Sequence, residues 1–347
     1  MTTQTRMPFH HPRVRPEWLA RLREDVLEPD LPIIDPHHHL WHARPDRYLL
    51  EDLAADVSSG HNVVATVFIQ CGAFYRQDGP AEMRPVGETE FVATVAAECE
   101  RGAHGGLRAC AGIIGHVDCL LGERIDPVLE AHIQAGGGRF KGIRHSGTYD
   151  AGIAPTAPPG APEGLYQETA FQRGVARLGR LGLTFEAWLY HPQLGDLIAL
   201  LKACPDQKMV LNHLGGPLGV GPYRGRRDAV FADWSARIRA LSAFPNLHMK
   251  LGGLAMNVNG FGYHEQVLPP GSGEMAAAWR PYMETAIEAF GVGRCMFESN
   301  FPVDKGMCGY VSLWNAFKRI AAGCSGEEKA ALFAGTAGGF YALDEKL

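Results

Sequence analysis

Eight short apolar runs, each ending in a polar or glycine-rich tip, constrain this 347-residue chain more than any other feature. They cover 33–34, 63–70, 107–114, 139–145, 183–189, 208–212, 247–251 and 294–299. Val63 to Gln70 is nearly continuous in β-branched and apolar residues, the composition of a strand covered on both faces. Segments 88–100, 126–135, 166–181, 193–203, 228–243 and 274–290 carry helical spacing, and Gly136-Gly137-Gly138 closes the second of them as a C-cap. Such alternation predicts an α/β chain folded as a parallel (β/α)8 TIM barrel with N-terminal and C-terminal helical extensions. Residues 1–30 read as the N-terminal extension, with a helix over 16–26, and 31–347 as a single barrel domain. Residues 310–343 close the chain with two or three helices. No GxGxxG follows the first strand and no GxxxxGK[ST] occurs, so nucleotide-binding α/β folds lack their motif support.

Composition narrows the partner. There are 33 basic and 38 acidic residues with no basic run, which argues against nucleic acid. No apolar stretch approaches the roughly 18 residues of a membrane span. Residues 1–31 lack the apolar centre of a signal peptide. The eight cysteines form no CxxC pair and several lie in apolar runs, as expected of buried free thiols in a reducing cytoplasm. The expected partner is a small molecule. The terminal helices offer surface for a homodimer.

In a barrel of this kind, function gathers at the C-terminal strand ends. Those ends carry His37 and His39 (first), Gln70 (second), Arg144 and His145 (fourth), His191 (fifth), His213 (sixth), and Asn300 with Asp304 (eighth). Side chains two apart in a strand point the same way, so His37 and His39 converge while His38 faces elsewhere. Paired imidazoles suit one divalent ion, Zn or Mn. Asp35 is placed to orient one ring. Arg144 either anchors a substrate carboxylate or pairs with Glu186. His191 is a substrate contact or, before Pro192, a helix-start residue. Lys250 and Glu298 read as a buried ion pair. Tyr48 and Gln70 are candidate substrate contacts, and aromatic residues on or beside the loops (Phe74, Tyr75, Tyr149, Tyr166, Phe261, Tyr263) suggest a pocket for a planar ring.

Five stretches carry a family resemblance: 35–41 (DPHHHLW), 142–144 (GIR), 211–217 (LNHLGGP), 250–254 (KLGGL) and 296–304 (MFESNFPVD). In this order the chain resembles the lactonase-like branch of the amidohydrolase superfamily. The resemblance implies hydrolysis of a small, often acidic or sugar-derived lactone, with one divalent metal in some relatives and none in others. It carries the metal positions to His37, His39 and His213. It also implies an acid at the end of strand eight that activates water. Here Asn300 stands in that place, in Ser-Asn-Phe-Pro where the commoner pattern is Ser-Asp-Trp-Pro. An amide is not basic near neutral pH, so the role passes to Asp304 or, one layer deeper, Glu298. The expected catalytic group is therefore Asp304, His213 and Asn300, with Arg144, Tyr48, Gln70 and His191 on the substrate. A metal-dependent decarboxylase or a hydratase of a small unsaturated or aromatic acid is the rival chemistry. A barrel that binds a ligand without turnover is the rival class.

Overall fold

The computed structural model describes residues 11–42, 46–102, 106–153 and 160–343. Eight parallel strands form one sheet in sequence order: β1 (Ile33–His38), β2 (Val63–Ile69), β3 (Arg108–Gly115), β4 (Phe140–Ser146), β5 (Thr184–Trp188), β6 (Met209–Leu211), β7 (Leu247–Leu251) and β8 (Cys295–Phe297). The seam between β8 and β1 closes just past the short last strand. There Asn300 N–H donates to the His37 carbonyl at 2.9 Å, and His39 N–H donates to the Phe301 carbonyl at 2.8 Å. The barrel is therefore sealed by the same residues that sequence patterning places at the site.

The helices are α1 (Pro16–Leu19), α2 (Leu50–Val57), α3 (Val86–Glu100), α4 (Asp126–Gly136), α5 (Thr169–Arg180), α6 (Leu194–Ala203), α7 (Arg227–Leu241), α8 (Ser272–Phe290), α9 (Tyr310–Ile320), α10 (Gly326–Ala330) and α11 (Thr336–Phe340). α4 ends as expected, on Gly137 at φ 54°. Two expectations change. The helix expected over 16–26 is a single turn, after which the chain is tied down by side-chain bonds: Trp18 Nε1–H to the Gln266 carbonyl and Lys318 Nζ to the Leu27 and Glu28 carbonyls. Residues 41–53 read from the sequence as loop and turn, yet 50–53 belong to α2, because Asp52 caps the Leu49 N–H and Leu50, Leu53 and Val57 bury one face.

The barrel interior has two storeys. Below, Ile34, Ala65, Val67, Ile69, Ile114, Val210 and Met296 pack with Ala337, Phe340, Tyr341 and Leu343, so the chain's last helix stoppers the lower end. Above lies a polar layer. One extra residue in β1 lets this strand serve both storeys: Asp35 pairs with Thr66 and His38 with Phe68, so three steps on β1 match two on β2. Pro36 sits in that bulge, where it has no ladder hydrogen to give. Ile34 and His37 therefore both face inward. No helix among the described residues is long and apolar enough to cross a membrane.

Candidate active site

Inward residues of neighbouring strand ends meet in a buried charged layer. Glu298 lies at its centre. Its Oε1 accepts from His213 Nδ1–H at 2.7 Å and from the His213 backbone N–H at 3.1 Å. Its Oε2 is 2.7 Å from His37 Nδ1 but off the N–H line, and has no hydrogen-bond partner among the described residues. Both imidazoles and the carboxylate are buried. His37 also accepts at Nε2 from Arg144 Nη1, 3.2 Å away. Burial first, then Lys250 and the neighbouring imidazoles, holds the His37 pKa well below 6.5. His213 is lowered as well, burial outweighing the opposing pull of Glu298. Both rings are therefore neutral near pH 7, with lone pairs to offer.

The backbone is shaped around these groups. His213 and Leu214 both have φ 54°, a left-handed pair costing roughly 1–2 kcal/mol per non-glycine residue. The His213 N–H bond to Glu298 and the Trp234 Nε1–H bond to the Leu214 carbonyl hold that turn. Gly252 and Gly253 are glycines for want of room. A Cβ on Gly252 would lie 2.4 Å from Glu298 Cγ, and one on Gly253 2.4 Å from His213 Nδ1. The LGGL signature is thus the footprint of the two side chains beside it.

A second buried pair stands next to the first. Lys250 Nζ lies 2.8 Å from Glu186 Oε2 and 2.8 Å from the Pro36 carbonyl. Asn212 and the Tyr341 hydroxyl also donate to Glu186. The pairing differs from the expected Lys250–Glu298 and Arg144–Glu186. β5 and β7 are alternate strands, whose inward residues share a layer, so Glu186 meets Lys250 while the imidazoles claim Glu298. Arg144 instead donates through Nη2 to the Gln70 carbonyl at 2.5 Å, and Gln70 Nε2 reaches back to the Arg144 carbonyl at 3.4 Å. Arg144 Nε is buried without a partner among the described residues.

The other sequence-selected residues fall as follows. His39 Nδ1–H donates to the Ile69 carbonyl at 2.8 Å, which leaves the lone pair on Nε2, and its ring is 4.9 Å from that of His37. His38 turns away to Thr66 Oγ1 at 2.9 Å. Asp35 does not orient a ring; it accepts from the Ser299 N–H and the Tyr310 hydroxyl. Asn300 Nδ2 donates to Asp304 Oδ1 at 2.8 Å, and the Ala255 N–H donates to Asp304 Oδ2 at 3.2 Å. Burial raises the Asp304 pKa well above 3.8. Tyr48 commits its hydroxyl to Asp56, which also pairs with Lys305. His191 Nδ1 accepts from the Leu218 N–H and its ring meets Tyr223 edge-on. Among the loop aromatics, Tyr166 donates to the His145 carbonyl and Phe74 stacks on Phe91. Tyr341 escaped sequence reasoning because nothing in a C-terminal helix announces that it reaches the barrel interior.

A family model described as Amidohydrolase matches residues 34–343. This chain belongs to the amidohydrolase family. The amidohydrolase is 32% identical over 334 residues to the uncharacterized protein y4mH of Sinorhizobium fredii, covering 90% of this chain and 99% of that one. It is 25% identical over 331 residues to an L-fucono-1,5-lactonase of Burkholderia multivorans, covering 90% and 96%. Among solved structures it matches a Burkholderia multivorans amidohydrolase with bound Zn at TM-score 0.70 and 24% identity, covering 90% and 99%. A 5-carboxyvanillate decarboxylase of Novosphingobium aromaticivorans complexed with manganese matches at TM-score 0.55 and 13% identity, covering 91% and 97%. The amidohydrolase is accordingly a hydrolase with the barrel of this superfamily. Among its described residues, His37, His213 and Glu298 form a group whose potential ligand atoms lie within 4.8 Å of one another. The orphaned Glu298 Oε2 between neutral imidazoles is a donor set that a divalent ion fits.

Proposed function

We propose that the amidohydrolase opens the ring of a small lactone that bears a carboxylate. The observation that carries this reading is the Glu298–His213 pair. With Nδ1–H given to Glu298, His213 keeps its lone pair on Nε2 and can take a proton from water as the water attacks the ester carbonyl. Glu298 stabilises the imidazolium so formed, which returns the proton to the ring oxygen as the acyl C–O bond breaks. Arg144 has a buried Nε–H without a partner among the described residues, a donor for the substrate carboxylate. Lys250, fixed by Glu186, contributes positive potential where the oxyanion develops. Asn300 orients water through its amide oxygen. Asp304, with both oxygens bonded, acts by holding Asn300. His37, His213 and Glu298 would hold a divalent ion, with His39 beside them; when bound it would occupy the His213 lone pair and supply Lewis-acid polarisation of the carbonyl in place of that proton transfer. The similarity to a curated L-fucono-1,5-lactonase supports lactone hydrolysis, while the carboxylate is argued from Arg144 alone.

The test is a panel of lactones with and without a carboxylate, assayed beside elemental analysis of protein purified without chelator. Hydrolysis of the carboxylated members is expected, and Glu298→Gln should lower kcat by about 10³–10⁴-fold, as when the orienting acid of an acid–histidine pair is neutralised. Full activity in Glu298→Gln would remove the pair from the mechanism. Release of carbon dioxide in place of ring opening would assign the decarboxylase chemistry instead.

A further inference from the structure

One buried acid next to the site has no role in the chemistry above. Glu88 sits in the first turn of α3, is fully buried, and points at the loop leaving β2. Its Oε1 accepts from the Cys71 N–H at 3.0 Å, the Ala73 N–H at 2.9 Å and Cys71 Sγ at 3.5 Å. Its Oε2 has no hydrogen-bond partner among the described residues. The residue immediately before this loop is Gln70, which grips Arg144 at both ends, by its backbone carbonyl and its side-chain amide. Burial lowers the Arg144 pKa, and Glu88 is among the groups that oppose this.

We propose that Glu88 is the positioning residue for Arg144. It pins the backbone of Cys71 and Ala73, and thereby aims the Gln70 carbonyl that holds the guanidinium at the barrel mouth. The geometry explains an otherwise costly arrangement. A helix-borne carboxylate has been taken fully out of water to bond two loop amides, when the same amides could have faced solvent. Burial raises its pKa to about 7, the loop N–H groups and Arg144 pulling the other way. That desolvation is tolerated because the loop it organises continues from Gln70, whose carbonyl holds the substrate-anion anchor of β4. The importance of Arg144 for a carboxylated substrate rests on the lactonase reading; the Glu88–loop–Arg144 connection does not.

The experiment separates the two. Phenylglyoxal labelling of Arg144, mapped by mass spectrometry on the intact folded protein, reads the guanidinium without any substrate. Glu88→Ala should speed this labelling at least about five-fold, while Glu88→Gln, which keeps an acceptor oxygen, should return it to within about two-fold of the wild type. If Glu88→Ala does not fold, Glu88→Asp serves, because its carboxylate is withdrawn by one methylene while packing is mostly kept. In the lactone panel, the disrupting variant should raise KM at least about ten-fold more for carboxylated than for uncarboxylated members, with kcat moving less. Unchanged Arg144 labelling in a folded Glu88→Ala or Glu88→Asp protein overturns the proposal, whereas an equal KM rise for both lactone classes with labelling altered overturns only the reading of Arg144 as carboxylate anchor. A wild type inert to every lactone, with labelling behaving as expected, would sink the lactonase reading and leave the positioning role standing.

Discussion

At the scale of single residues, the departure Asn300 and its partner Asp304 define a swap. The amide donates to the buried carboxyl at 2.8 Å. Asn300→Asp would set two buried carboxyls against each other, so one must keep its proton. Both native-state pKa values are then raised above the unfolded ones; stability is present at low pH and lost as pH rises. Asn300→Asp should therefore unfold at a temperature near the wild type's at pH 5 and several degrees below it at pH 8, measured by thermal denaturation. The double variant Asn300→Asp/Asp304→Asn restores an acid–amide pair and should recover most of the loss. No recovery would mean that the two side chains are not coupled in solution. Gly253 offers an independent probe. An added Cβ meets the His213 ring at 2.4 Å on a backbone at φ +68°, so Gly253→Ala should move the ring off Glu298. A kcat/KM loss of about 100-fold or more is expected, since about 1.4 kcal/mol of lost stabilisation is ten-fold. Activity near wild type would show that the His213 position is not critical.

At the scale of elements, the sequence is legible where periodicity and strand-end chemistry agree. The eight strands, their parallel order and the convergence of His37, His213, Arg144 and Asn300 follow from apolar runs that stop at polar tips. Three things did not follow. Leu50–Val57 is helical because of a cap and a short apolar face inside a loop-like composition. The Lys250–Glu186 pairing depends on which strands share a layer, and strand parity alone does not distinguish Glu186 from Glu298. The third is α11: its short, glycine-containing sequence does not say that Tyr341 enters the barrel and donates to Glu186 Oε1. Tyr341→Phe tests that reach. Removing the hydroxyl leaves a buried carboxylate oxygen without its donor, at a cost of about 1–3 kcal/mol. A fall in the urea midpoint with an unchanged m-value is the expected result. If the midpoint does not move, the helix is a stopper only, and Lys250 and Asn212 suffice for Glu186.

At the scale of the whole molecule, the polar barrel interior and its surrounding helices bury ionisable groups whose shifts oppose one another with pH. Among the described residues, nine imidazoles are held below 6.5, chiefly by burial: His37, His38, His61, His116, His132, His145, His191, His213 and His248. His38 and His145 reach about 3, while His61, His132, His191 and His248 reach about 4. Four carboxyls are raised, also by burial: Asp35 to about 6, Glu88 to about 7, and Asp56 and Asp304 in the same direction. A depressed imidazole gives stability that is present above pH 6.5 and lost as pH falls toward its folded-state value. A raised carboxyl does the reverse, giving stability at low pH that is lost on the way up to about 6 or 7. Between about pH 4 and 6.5 the unfolded chain therefore binds extra protons on the larger histidine set, while the native state keeps extra protons on the smaller carboxyl set. The balance favours the histidines, so stability rises with pH across this window. Each uncompensated proton contributes about 1.4 kcal/mol per pH unit, so even two or three give a slope of a few kcal/mol. Denaturation should accordingly show a plateau near pH 7 and a steep, cooperative loss between about pH 6 and 4.5, with protons taken up on unfolding. Substituting a peripheral member of the set, His248→Gln, should flatten the slope by about one proton and leave the plateau within a few kcal/mol. A stability that is level or rising as pH falls through 5 would mean that the imidazoles titrate freely in the folded protein, and the neutral, lone-pair-bearing His213 required for proton transfer would lose its physical basis.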